Sequence, residues 1–204
     1  MCLIKNYILI EVNILKSDLI EKIHYRLKQD MSPQRYKHTQ GVVDTAVYLA
    51  NKYGADKDAA YMAALLHDYA KDFSKEQVKE YISRNGLTVD DIMLNVHQLL
   101  HGKIAAHIAR EQFNIHDEDV LNAIEYHTTG RKKMSKLEKI IYLADFIEPG
   151  RNYAGVEELR EVAEQDLNKA VLLALNNTIK YVISMEKLLH TNTIEARNTL
   201  LLEV

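Results

Sequence analysis

The stretch LLHDYAKD, residues 65–72, decides how the rest of the chain is read. An apolar run, Tyr61-Met62-Ala63-Ala64-Leu65-Leu66, ends in a histidine and an aspartate side by side, with Lys71 and Asp72 following within the next turn. Ionisable groups at the end of a core helix cost free energy unless something pairs with them. Asp56 is placed to cap that helix. Helical geometry then sends His67 and Asp68 about 100° apart. A partner that engages both has to reach two diverging side chains.

Outward from this point the chain reads as helical. It has 204 residues, 47% of them hydrophobic, which suits one globular domain with a sizeable core. Seven glycines and two prolines are few breakers, and no internal repeat or Pro/Gly/Ser linker divides the chain. Ser17 starts a helix through Leu19, Ile20, Ile23 and Leu27. Ser32-Pro33 is a cap with proline at the first helical position, and that helix ends at Gly54. Ser74 with Gln77, and Ser135 with Glu138, are capping-box pairs. Asp117 starts a helix ending in Glu125-Tyr126-His127, and another follows His101-Gly102. Pro149-Gly150 stops the helix that begins at Ser135, residues 155–189 form one or two long helices, and a short one closes the chain. The fold class is therefore all-α, a helical bundle over residues 17–204, with residues 1–16 as an N-terminal extension of uncertain structure.

Composition excludes several functions. The formal net charge of -3 offers no basic excess for nucleic acid or a membrane surface. The opening MCLIKNYILIEVNIL is broken by Lys5, Asn6, Glu11 and Asn13, too polar for a membrane span and without the order of a signal peptide. Cys2 is the one cysteine, so no disulfide forms within the chain and a cytoplasmic location is expected.

Nine histidines are the informative excess. His38, His67-Asp68, His101 and His127 fall at otherwise apolar, core-facing positions, and Asp145 lies inside IIYLADFIEP. Any one of these histidines alone reads as a satisfied core residue, and Asp145 alone as a cap or ion-pair partner. The ordered set points elsewhere: neutral imidazoles with carboxylates suit a divalent Fe, Mn, Co, Ni or Zn, whereas cysteine-type zinc sites lack ligands. His24 and His190 read as surface or packing residues, His107 and His116 face away, and His97 is the reserve if His101 is not a ligand.

The order His38, His67-Asp68, Asp145 resembles the HD-domain metal-dependent phosphohydrolase superfamily, and the words RYKHTQGV, LLHDYAKD, HGKIAAH, EYHTTGR and LADFIEPGR resemble its YqeK-like branch, the symmetrical bis(5′-nucleosyl)-tetraphosphatases. The resemblance covers roughly residues 20–190. It implies a dinuclear site, typically iron, that splits diadenosine tetraphosphate into two ADP by metal-activated hydroxide. It also implies that His38, His67, Asp68 and Asp145 are core ligands, that Asp68 bridges two metals, and that His101 and His127 supply the second.

A polyphosphate needs cations around it. Lys71, Arg131, Arg35 and Arg151 are placed to clamp phosphates, and Thr128, Thr129 and Gly130 form a polar loop that donates hydrogen bonds. Asp72 either orients Lys71, transfers a proton, or caps a helix. The partner expected is a dinucleoside polyphosphate, with ADP or GDP as a product-like ligand, and a homodimer is open to the apolar residues of 171–189. Three alternatives stand beside this: an HD hydrolase of another nucleotide (a nucleoside monophosphate, a dNTP or guanosine tetraphosphate), an inactive nucleotide-binding regulator, and a structural helical protein, which leaves Asp145 unexplained.

Overall fold

The computed structural model describes residues 17–203. The extension and Cys2 therefore lie outside the described residues. Helix α1 occupies residues 17–30 and α2 Pro33–Tyr53. They are followed by α3 (Lys57–Leu66), α4 (Lys75–Asn85), α5 (Asp91–Asn95), a 3₁₀ turn (His97–Leu99), α6 (Leu100–Phe113), α7 (Glu118–Glu125) and α8 (Lys136–Ile147). The last three are α9 (Val156–Ala163), α10 (Leu167–Ser184) and α11 (Thr191–Glu203). No strand occurs among the described residues, and none of their helices is long and apolar enough to cross a membrane.

The caps sit where serines, aspartates and glycines predict them. Ser32 accepts from the Arg35 N–H, Asp56 from Asp58 and Ala59, and Gly54 ends α2 in the left-handed region at φ 65°. The Ser74–Gln77 capping box forms in full. At α8 only half of the box forms. Ser135 accepts from the Glu138 N–H, while the Glu138 carboxylate turns away to Arg131.

Three boundaries differ from the sequence expectation. The apolar helix stops at Leu66, so His67 is its C-cap and residues 67–72 form turns rather than another helical turn. Helix α7 stops at Glu125, leaving His127 in the turn beyond it, and α6 starts at Leu100, which places His101 in its first turn. The short α5 and the 3₁₀ turn had no periodic signal at their length.

The core centres on α8. Ile140, Ile141, Tyr142, Leu143 and Ala144 are all fully buried, against neighbours α2, α3, α7 and α10. Nine of the twelve residues of α8 are buried, so Asp145, on the same helix, is delivered to the middle of the bundle. The peripheral histidines pack: His24 bonds both Tyr36 and Tyr61 hydroxyls at 2.9 and 2.8 Å, His107 meets Tyr81 at 2.9 Å, and His190 meets Asp90 at 2.8 Å.

Gly102 lets α6 press on the end of α7. A Cβ there would lie 2.6 Å from the Glu125 carbonyl oxygen and 3.0 Å from that of Ile124. Both are backbone atoms that cannot swing aside. Gly→Ala inside a helix ordinarily stabilises by about 0.5–1 kcal/mol. Here Gly102→Ala should instead lower stability by about 1–3 kcal/mol, the cost of overpacking. Urea denaturation reads the sign, and a raised midpoint would refute the close approach.

Candidate metal centre

Five segments deliver six side chains to one point. His38 comes from α2, His67 and Asp68 from the turn after α3, His101 from the start of α6, His127 from the turn after α7, and Asp145 from the last turn of α8. Asp68, 1% exposed, is the hub. Its Oδ1 lies 3.0 Å from His101 Nε2 and 3.5 Å from His127 Nε2. Its Oδ2 lies 3.6 Å from both His38 Nε2 and His67 Nε2. Asp145 Oδ1 stands 3.0 Å from His38 Nε2. The two oxygens of Asp68 thus face two different pairs of imidazoles.

Local backbone geometry fixes the rings. His67 Nδ1 bonds the Ala64 carbonyl at 2.7 Å, His127 Nδ1 that of Ile124 at 2.7 Å, and His101 Nδ1 that of Gln98 at 2.5 Å. Each acceptor lies three residues back. In α3 and α7 it is one of the last four carbonyls, which a helix leaves without an intrahelical partner. His38 Nδ1 meets Glu148 Oε1 at 3.1 Å. A carbonyl or carboxylate oxygen only accepts, so the proton sits on Nδ1 in all four rings and the Nε2 lone pairs point inward.

Left to the protein alone this arrangement is unfavourable. The Nε2 atoms of His101 and His127 lie 2.9 Å apart, lone pair against lone pair. His38 Nε2, His67 Nε2 and Asp68 Oδ1 are buried without a hydrogen-bond partner. Burial lowers His67 and His101 to a pKa of about 4, which keeps them neutral. Burial pushes Asp68 and Asp145 upward, and they fall below the ordinary carboxylate range only with positive charge facing them, from protonated imidazoles or from a bound cation in their place. A cation is the partner that satisfies every one of these atoms. His38, His67 and Asp145 bring ligand atoms within 4.8 Å of one another, and so do His67, Asp68 and His127. The donor set fits divalent transition metals.

Cations ring the centre. Arg35 Nη1 donates to Asp68 Oδ2 at 2.7 Å, Arg151 pairs with Asp145, and Lys71 Nζ lies 3.3 Å from His101 Nε2. Arg35 and Arg151 also line a cavity of about 740 Å³ that opens onto His38. Asp72, on the same wall, accepts from the Ser32 backbone N–H at 2.9 Å, so it holds the start of α2.

The 128–131 loop sits differently from the expectation. Arg131 forms a two-pronged pair with buried Glu138, at 2.6 and 2.9 Å, instead of a free guanidinium. Thr129 is buried and donates to the Gly130 carbonyl, and Gly130 packs near Met134 and Ala196. Thr128 is half-buried. His97, the reserve, stays in the 3₁₀ turn, and His101 is the ring that faces Asp68.

Residues 35–150, a span that holds all six side chains, match the HD domain family. The chain belongs to the HD-domain family. Over 177 residues it is 46% identical to a protein of Halalkalibacterium halodurans named "Bis(5'-nucleosyl)-tetraphosphatase, symmetrical", covering 87% of this chain and 94% of that one. A Bacillus subtilis protein of the same name is 40% identical over 174 residues, 85% of this chain and 93% of its own length. A crystal structure from Clostridium acetobutylicum, described as a predicted HD superfamily hydrolase involved in NAD metabolism, superposes with a TM-score of 0.87 at 49% identity, covering 91% of this chain and 98% of that one. HD membership implies dependence on a divalent metal, which the cluster fits.

The HD signature leaves out the residues that hold His38 in place. Glu148 is 4% exposed, bonds His38 Nδ1 and accepts from the Gly150 N–H. Gly41 makes room for it, since a Cβ there would come within 2.5 Å of Glu148 Oε2. Arg160 clamps the turn from outside, donating to the carbonyls of Ile147, Glu148 and Arg151 at 3.0, 2.8 and 3.0 Å. Glu148 stood in the word LADFIEPGR, three residues after Asp145, but a glutamate before Pro-Gly reads as the end of a helix. Glu148→Gln keeps the shape and removes the carboxylate behind His38. It should weaken metal binding about 10–100-fold, the usual cost of losing an outer-shell partner. Metal titration of the folded variant reads the change, and unaltered affinity would refute the role.

Proposed function

We propose that the chain hydrolyses diadenosine tetraphosphate symmetrically, releasing two ADP. The observation that carries this is Asp68 at the hub of two imidazole pairs, which gives the centre two lobes on either side of one carboxylate. The names of relatives at 46% and 40% identity over nearly their whole length support the substrate.

In this proposal His38, His67 and Asp145 would hold one divalent ion and His101 and His127 a second, with Asp68 available as a ligand to either. Iron is the leading metal, with Mn, Co, Ni and Zn sharing the ligand chemistry. Bound ions supply Lewis acidity, which lowers the pKa of water and draws charge from phosphoryl oxygens. The overall change adds water across the central P–O–P bond: oxygen from water joins one central phosphorus, the bond to the other half breaks, and each half leaves as ADP.

The chain's own residues orient and hold. Arg35 and Arg151 face the cavity and Lys71 stands beside His101, so the three grip phosphate oxygens along the chain of the substrate. Asp72 positions Arg35, whose Nε lies 3.8 Å away. Thr128 offers its hydroxyl, Thr129 and Gly130 shape the loop, and Arg131 braces it through Glu138. The single cysteine, Cys2, favours the cytoplasm, and the exposed Tyr181, Ile183, Met185 and Leu188 offer a surface for a homodimer.

With Fe(II) or Mn(II) added, diadenosine tetraphosphate should yield ADP as the sole nucleotide product. ATP plus AMP would refute symmetric cleavage. Faster turnover of a nucleoside monophosphate, a dNTP or guanosine tetraphosphate would reassign the substrate. Asp68→Ala should reduce turnover by more than the about 10–100-fold of an outer-shell loss, because both lobes lose a ligand.

A further inference from the structure

A second concavity adjoins the phosphate cavity. It is a groove of about 610 Å³ between α2 and α9, and it shares Asp44 and Pro149 with the first cavity. Its apolar floor is Leu49, Ile147 and Pro149, and Tyr48, 50% exposed, stands at its side. The Tyr48 ring is held in place, since its hydroxyl donates to Glu164 Oε2 at 2.7 Å and Lys52 pairs with the same oxygen at 2.6 Å.

The two concavities differ in charge. Around His38 stand Arg35, Lys37 and Arg151, balanced by Asp44, Asp72 and Glu148. Around the groove stand Asp44, Glu157, Glu161 and Glu164, and its one arginine, Arg160, is engaged by three backbone carbonyls and by Glu157. Cations held at the adjoining metal centre would draw phosphates to the first, whereas the surplus carboxylates of the second repel them. A ligand that runs through both must be anionic at one end and neutral at the other, with hydroxyl or amine donors for the carboxylates.

Length agrees with this. His38, Gly41, Thr45 and Tyr48 share one face of α2. A rise of about 1.5 Å per residue puts Asp44 about 9 Å and Tyr48 about 15 Å along the helix from His38. We infer that the α2–α9 groove receives one nucleoside of the substrate, the base against Tyr48 and the ribose hydroxyls toward Asp44. Exposed aromatic rings are sequence-tolerant platforms for bases. The carboxylates of Glu157 and Glu161 accept from an exocyclic amine.

The inference rests on the dinucleotide proposal above, and binding tests it without turnover. Calorimetry compares ADP with pyrophosphate on the Mn(II)-loaded chain. The unaltered chain should bind ADP more tightly than pyrophosphate. Tyr48→Ala should weaken ADP about tenfold, the size of one lost stacking contact, and leave pyrophosphate alone. Thr45→Trp, which fills the groove from the same helix face, should act in the same direction, with thermal melting reporting that both variants fold. ADP binding that survives both substitutions, or an equal loss for ADP and pyrophosphate, overturns the groove even if diadenosine tetraphosphate is split to ADP. An ADP-specific loss in a chain that turns over no diadenosine tetraphosphate leaves the groove standing and removes the hydrolase proposal instead.

Discussion

Asp68 is a carboxylate almost wholly withdrawn from water and faced by four imidazole nitrogens whose protons are committed elsewhere. Everything else in the structure answers to that constraint. Neutral rings with inward lone pairs cannot neutralise a buried charge, so the site is stable in this form only around cations. The helix ends enforce it. Helices α3 and α7 both finish at the centre, and each presents a carbonyl-rich terminus carrying partial negative charge. The same carbonyls that set this field also hold the Nδ1 protons. Backbone geometry thus fixes the tautomer and the electrostatic preference together.

The two long core helices complete the arrangement in different ways. Helix α8 is buried on all sides and carries Asp145 as a fixture of the interior. Helix α2 is buried on one face, and its other edge looks into the cavity lined by Arg35 and Arg151. His38 is on that edge and needs the tether to Glu148, which in turn depends on Gly41 and on a turn clamped by Arg160. A side chain on a half-exposed helix requires this second layer more than one in a turn locked by its own backbone, such as His67.

The all-α class, the caps and the six converging side chains were legible because each has a short-range cause: serine and aspartate at helix starts, glycine after helix ends, and polar residues interrupting apolar periodicity. What the sequence hid has long-range causes. His67 and Asp68 sit in a turn, not in a helix: His67 keeps helical dihedrals, but after Leu66 the bonds shift to i→i−3, as from Tyr69 to Leu66 and Lys71 to Asp68. Arg131 read as a phosphate clamp and Glu138 as half of a capping box, yet they satisfy each other, since two opposite charges seven residues apart across a turn pair before either reaches a more distant partner. Glu148 and Arg160 brace the site through contacts 110 and 12 residues away, which no local pattern marks.

Charge at the centre explains why metal and substrate belong together. Asp68, Asp145 and Glu148 face Arg35, Lys71 and Arg151, three carboxylates against three cations, several of them already paired. A tetraphosphate approaching that set alone gains little net attraction, because each arginine would have to release a carboxylate to grip a phosphate. Divalent ions on the carboxylates change the balance. With Asp68 and Asp145 holding cations, the Arg35 and Arg151 guanidiniums would be free to turn toward the cavity. On this balance, phosphate affinity would follow metal occupancy through the same two carboxylates.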